Sequence, residues 1–330
     1  MNTPVVSLRD LSPEAALRRL ELVVGRRVDG MINGDHLGLL PGPGTDVADA
    51  RPYVPGQDDV RRIDWNVTAR TDVVHVRDAI ADRELETWAL VDASASMDFG
   101  TVGMEKRDLA AAVTVALARI ASRTGDRFGA YVMAAGGLRI SPVQAGRTHL
   151  LMVLRALAAA DRVAPGEQVP SLADGLVALS RHRRRGLRIV VSDLLDPDTS
   201  AWETSLRRLA ARQRVLVVEV LDPRELELPP MGVLTLVDPE TGRSREVNTS
   251  SRRLRQRYAD VARGHRVETA RVVRSSGAAH LVLRTDRDWV RDLADFTLRQ
   301  RRIGTGSPGL LTNTVATSYL TPRSPAGSPP

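Results

Sequence analysis

The sequence predicts an α/β protein: a doubly wound, mostly parallel sheet flanked by helices, preceded by a β-rich subdomain. Three observations carry this. From about residue 84 to 300, short β-branched runs alternate with helical patterns of ten or more residues, the mark of crossover units and a sheet covered on both faces. The 330 residues suit one large domain or two ordinary ones, and a chain of this size buries about 75% of its unfolded surface. Stability therefore needs no disulfides, and the chain has no cysteine. Finally, the stretch from Gly30 to about Arg83 is rich in Gly, Pro and Asp and differs in character from residues 84–300.

In chain order, Ser12-Pro13-Glu14 starts a helix, with proline at its first position, acid in its first turn, and Leu17, Leu20 and Val24 along one face. The Gly30–Arg83 text, including VVHV at Val73 to Val76, suits strands and turns better than helices. Strands are expected at Trp88 to Val91, Arg127 to Ala134, Leu187 to Val191, Val215 to Val220, Val233 to Val237 and His280 to Leu283. Helices are expected at Lys106 to Arg123, Thr148 to Ala160, Ser171 to Arg181, Ala201 to Arg212, Ser251 to Arg274 and Asp288 to Arg302. Val233 to Val237, followed by DPETGR, reads as a hairpin decorating the sheet. The expected division is residues 1–83 for the helix and β-rich subdomain, 84–303 for the α/β domain, and 304–330 for a flexible Ser, Pro, Thr and Gly tail.

Charge excludes several chemistries. Lys and Arg number 47 against 40 Asp and Glu, for a formal +7, and only one of the 47 is lysine. That residue, Lys106, lies in GMEKRD, so the chain has no P-loop. A Schiff-base enzyme would have to use it, and the sequence around it carries no sign of an apolar pocket. Without cysteine there are no thiol nucleophiles, no CxxC pairs and no zinc-thiolate sites, and the composition fits a reducing compartment. The most apolar stretch, Leu109 to Ala121, is broken by Arg119 and is shorter than the ~20 residues of a membrane span. The terminus MNTPVVSLRDLSPE lacks a signal-peptide pattern, so cytoplasmic residence is expected.

The strongest local feature is WALVDASASM, Trp88 to Met97. An apolar strand runs into Asp92-x-Ser94-x-Ser96, at the sheet edge where α/β proteins bind ligands. One carboxylate and two hydroxyls on a turning loop offer the oxygens a small hard cation prefers. The strand Arg188 to Val191 ends likewise in Ser192-Asp193, and Ala145-Gly-Arg-Thr-His149 places the Thr148 hydroxyl at a helix start. The plain alternative is a set of caps and turns held by local hydrogen bonds.

Asp92, Ser94, Ser96, Thr148 and Asp193 together resemble the metal-ion-dependent adhesion site of von Willebrand factor A domains. The resemblance implies a divalent cation, Mg2+ or Mn2+, contacted by the two serines and the threonine. The aspartates would act directly or through water, and a partner protein would supply an acidic side chain to the open position. The second loop departs from the common GGT wording, reading Gly146-Arg147-Thr148.

A longer resemblance rests on Arg51-x-Tyr53-x-Pro55-Gly56-x-Asp58-Asp59-x-Arg61-x-Ile63-Asp64-Trp65, then Thr68-Ala69-Arg70. This is similar to the signature of the bacterial family known as domain of unknown function 58, which carries an A-like region after it. It implies work with a MoxR-type AAA+ ATPase in chaperone-like assembly or activation of client proteins, and the expectation drawn from both resemblances is a non-enzymatic, metal-dependent interaction protein. The segment also reads as a small core of Tyr53, Ile63 and Trp65, with arginines paired to aspartates at its rim.

Two other function classes stay open on the sequence. One is a metal-dependent hydrolase using Asp92 and Asp193, for which no general base is evident. The other is a basic adaptor for nucleic acid or anionic membrane. Between Ser251 and Arg274 eight arginines face only Asp260 and Glu268, and Leu254, Tyr258 and Val261 form an apolar stripe, so the arginines are expected on the outer face. Few aromatic platforms and no known module argue against sequence-specific nucleic-acid binding. The six histidines form no metal signature, and His149 reads as a solvated loop residue.

Overall fold

The computed structural model describes residues 15, 18, 50–53, 60, 63, 65–71, 73–77, 86–102, 104–123 and 127–305. The expected tail beyond 305 and most of the Arg51–Asp64 signature lie outside them. Of the expected first helix, Ala15 and Arg18 are described, both helical.

Before the main sheet, β1 (Ala50–Pro52) pairs antiparallel with β2 (His75–Arg77), and α1 (Trp65–Thr71) lies between them. The helix corrects the expectation of strands and turns alone. Thr68 and Thr71 hold the chain beyond it: the Thr68 hydroxyl accepts the His75 N–H at 3.0 Å, and the Thr71 hydroxyl donates to the Val67 carbonyl at 2.9 Å. Trp65 is 69% exposed, so it is not part of a small core with Tyr53 and Ile63.

The main sheet contains β3 (Glu86–Asp92), β4 (Arg127–Ala134), β5 (Gly137–Gln144), β6 (Leu187–Ser192), β7 (Arg214–Leu221) and β10 (Ala279–Arg284), in the order β10-β7-β6-β3-β4-β5. All neighbours are parallel except β4 and β5. The expectation of a mostly parallel α/β sheet is met. β5 is an addition: its side chains are mostly exposed or half-buried, so it lacks the apolar run that marked the other strands. Positive φ at Gly136 and Gly137 makes the tight β4–β5 turn, a conformation open to glycine without steric cost.

Alternate residues of the strands feed two cores. On one face Ala89, Val91, Val132, Ile189 and Val218 pack with α2 (Lys106–Arg123), α3 (Arg147–Ala158) and α8 (Trp289–Thr305). On the other, Trp88, Leu90, Val190 and Val217 pack with α4 (Leu172–Ser180), α5 (Thr199–Ala210) and α7 (Arg252–Ser275). A short helix, α6 (Pro223–Leu226), comes after β7, and the hairpin β8 (Val233–Val237) with β9 (Ser244–Asn248) stands apart from the main sheet as its own two-stranded pair.

The order reverses beside β3: the chain leaves it toward β4 and later returns on its other side as β6. Such a reversal leaves a crevice at the carboxyl ends of the two strands. Val91 pairs with Val191, so Asp92 and Ser192 leave the sheet side by side at that crevice.

Candidate metal centre

Asp92 ends β3 as a buried carboxylate. Its Oδ1 accepts the Ser94 N–H at 2.9 Å and its Oδ2 accepts the Ser192 hydroxyl at 2.7 Å. The chain then winds into a 3-10 turn, Ala95–Asp98, with Ser94 at its cap. That turn brings the Ser94 and Ser96 Oγ atoms within 3.1 Å of each other. The Ser96 hydroxyl also donates to Asp193, the first residue after β6. One chain of hydrogen bonds therefore joins Asp92, Ser94, Ser96 and Asp193 across the crevice.

Thr148 is placed differently. It occupies the second position of α3, with its side chain exposed, and the hydrogen bonds that join the other four do not extend to it. His149 is buried at 2% exposure, contrary to the expectation of a solvated histidine, and burial holds its pKa below the usual histidine value.

Sequence reasoning missed the cation already present. Lys106 is fully buried; its Nζ donates to Asp193 Oδ2 at 2.7 Å and to Glu225 of α6. Burial alone would lower its pKa, yet the two carboxylates raise it above the ordinary lysine value. Burial would likewise raise Asp193, but the Lys106 charge, together with donors from Ser96 and Leu195, holds it below the usual carboxylate range. Asp92 shares none of that relief. Burial, reinforced by the charge of Asp193, pushes its pKa up to about 6 against the opposing hydrogen bonds from Ser192 and Ser94.

The wall behind this cluster is fixed by two more buried carboxylates. Asp222, after β7, accepts the Thr101 N–H at 2.9 Å, the Thr101 hydroxyl at 2.6 Å and the Thr285 hydroxyl at 2.9 Å, which anchors the loop beyond the serines. Glu219 on β7 pairs with Arg266 of α7 at 3.0 Å and with His280 at 2.8 Å, while Arg266 also donates to the Asp193 carbonyl at 2.7 Å. Arg266 is thus buried, correcting the expectation that the α7 arginines all ride the outer face. Leu254 and Val261 are exposed at 36% and 68%, so the expected apolar stripe is not sequestered either.

The donors suit a divalent cation. The Lys106 ammonium is shared by buried Asp193 and half-buried Glu225, while buried Asp92 has no cationic side chain among the described residues. Among the described residues no three His, Asp or Glu side chains form a ready cage. Any ion here would therefore depend on the serine hydroxyls beside the aspartates, a hard-oxygen set of the kind magnesium accepts.

Residues 49–268 match the family described as "Protein of unknown function DUF58". The chain is 48% identical over 289 residues to the uncharacterized protein Rv1480 of Mycobacterium tuberculosis, covering 87% of this chain and 90% of that one. Among solved structures it is similar to the conserved hypothetical protein BatB from Bacteroides thetaiotaomicron, with 16% identity, 66% of this chain and 99% of that chain covered, and a TM-score of 0.43. It is also similar to the SpRpn10 VWA domain, with 13% identity, coverage of 68% and 99%, and a TM-score of 0.37. No helix among the described residues is long and apolar enough to cross a membrane.

Proposed function

The chain belongs to the DUF58 family, and on that premise we propose that it is a non-enzymatic module that binds partner proteins through a divalent cation, Mg2+ or Mn2+. Ser94 and Ser96 would contact the ion through their hydroxyls, with Asp92 and Asp193 holding it directly or through water. Thr148 would join them from the start of α3. When bound, the ion supplies a Lewis-acidic position to which a partner's acidic side chain attaches. The partner system proposed is a MoxR-type AAA+ ATPase, with nucleotide hydrolysis on the ATPase, since this chain carries no P-loop.

The observation that carries this reading is Asp92. Its carboxylate is buried at the switch point, pushed up to about 6, hydrogen-bonded on both oxygens, and without a cationic side chain among the described residues. A fold that leaves such a group charged at neutral pH without a counter-ion would be destabilised; a divalent ion resolves the imbalance. A hydrolase would have to use Asp92 as its general base. Asp193 is tied to Lys106 and Ser96, which leaves it poorly suited to accept a proton from water as a general base.

The test is affinity purification of the full chain with and without chelator, comparing wild type with Asp92→Ala. A divalent-dependent set of partners that includes an AAA+ ATPase and is lost in the variant supports the proposal. The same partners with chelator present, or retained by Asp92→Ala, would refute it.

A further inference from the structure

The hairpin β8–β9 reaches back over the sheet edge. At its tip, Glu240 Oε1 accepts the backbone N–H of Ser96 at 3.2 Å, a contact spanning 144 residues of sequence. The tip is built to present that group. Asp238 accepts the Glu240 N–H at 3.0 Å and the Thr241 hydroxyl at 2.6 Å, and the Gly242 N–H closes the turn on the Asp238 carbonyl at 2.8 Å. The Glu240 carbonyl takes the Gly166 N–H at 2.9 Å, and a Cβ on Gly242 would meet the Pro165 ring at 2.8 Å, so the tip is docked on the 160s loop. The base is held by buried Thr249, whose hydroxyl donates to the Gly232 carbonyl at 2.8 Å.

On this loop Lys106 compensates Asp193 and Arg107 compensates Asp98, and Glu240 brings a further carboxylate to the side of Asp92, which has no cationic side chain among the described residues. Like charges brought together in a partly desolvated place repel unless a cation lies among them. Glu240 is also exposed to solvent, so its contact can be exchanged without unfolding the core. We infer that Glu240 is an internal carboxylate for the cation site: the hairpin places on the serine loop the same chemical group that an acidic partner would bring, and a partner must displace it. This inference depends on the proposed cation site.

The experiment uses the full chain as wild type, Glu240→Gln, and Glu246→Gln as a control on the exposed side of the same hairpin. Mn2+ is titrated by calorimetry, and hydrogen exchange of residues 238–243 is monitored with and without Mn2+. Loss of a supporting ligand weakens metal binding by about tenfold or more. Glu240→Gln should therefore bind Mn2+ at least about tenfold more weakly, and Mn2+ should slow exchange at the tip in wild type and Glu246→Gln but not in Glu240→Gln. Added acetate should raise the apparent Mn2+ affinity of Glu240→Gln and leave wild type unchanged. Equal Mn2+ affinity and equal tip protection in wild type and Glu240→Gln, or an equal acetate response, would overturn the inference while leaving the cation site standing. No Mn2+ binding to wild type would overturn the cation site itself, and this inference with it.

Discussion

The Nζ of Lys106 donates to Asp193 Oδ2 at 2.7 Å, with both side chains buried, and the same ammonium also serves Glu225. One lysine thus holds together the amino end of α2, the end of β6 and the short helix after β7. Removing one partner of a buried ion pair typically costs about 3–5 kcal/mol, because the other charge is left uncompensated. Lys106→Met keeps the side-chain length and removes the charge, so urea unfolding at pH 7 should show a loss of about 3–5 kcal/mol, partly restored by Mg2+. A loss under about 1 kcal/mol would mean that the two carboxylates find compensation elsewhere.

The arginines of α7 should divide sharply. Arg266 faces Glu219, which is fully buried, at 3.0 Å, whereas Arg263 meets Asp260 at 2.9 Å on an exposed helix face. Arg266→Leu removes a buried charged partner of Glu219 and should cost about 3–5 kcal/mol. Arg263→Ala loses a surface pair worth about 0–1 kcal/mol. Denaturant unfolding of the two variants checks this, and similar losses from both would place Arg266 in water rather than in the core.

Legibility in the sequence depends on how local each signal is. The buried strands announced themselves because a strand covered on both faces is apolar in near-continuous runs, as in Trp88 to Val91. Asp92, Ser94 and Ser96 were legible because a single turn after β3 brings them together, and Ser192-Asp193 because it ends a neighbouring strand. Lys106, Glu225 and Glu240 were not. Lys106 and Asp193 are 87 residues apart and Ser96 and Glu240 are 144 apart, and only crossovers and a docked hairpin bring them together. β5 was missed for another reason: as an edge strand with mixed exposure it has no apolar run to read.

On the face of the sheet covered by α4, His182 gives a pH dependence. Its ring stacks on Trp88 with centroids 3.7 Å apart, and its Nε2 lies 2.9 Å from the Tyr131 hydroxyl. Burial, helped by the charge of Arg188 and opposed by Glu86, lowers its pKa below the ordinary value of 6.5. The unfolded chain therefore binds the proton more readily than the folded one. The stability that neutral His182 contributes is full above pH 6.5 and is lost as pH falls through 6.5 toward its folded value. Asp92, with its pKa raised to about 6, adds stability as pH falls through the same range, so the signature is a difference: between about pH 7.5 and about 5.5, His182→Phe, which keeps a ring against Trp88, should lose less melting temperature than wild type. Buried His149 shifts in the same direction as His182 and acts in both proteins; an equal change in the two would remove His182 from the explanation.

The same substitution should have opposite signs on two helices. Alanine is favoured over glycine in a helix interior by about 1 kcal/mol. At Gly264 of α7 a Cβ meets nothing within 4 Å, so Gly264→Ala should stabilise by up to about 1 kcal/mol. At Gly175 of α4 a Cβ would lie 2.6 Å from Leu90 Cδ2 and 2.9 Å from Met133 Sδ. Both neighbours are buried, at 0% and 2% exposure, and cannot swing into solvent. Forcing an extra methyl into such a core costs about 1–3 kcal/mol against a propensity gain of about 1 kcal/mol, so Gly175→Ala should destabilise by up to about 2 kcal/mol. The close approach of α4 to β3 beside the candidate metal centre is what sets that sign. Chemical denaturation of both variants measures it, and a stabilised Gly175→Ala would mean that helix and strand stand further apart than these contacts require.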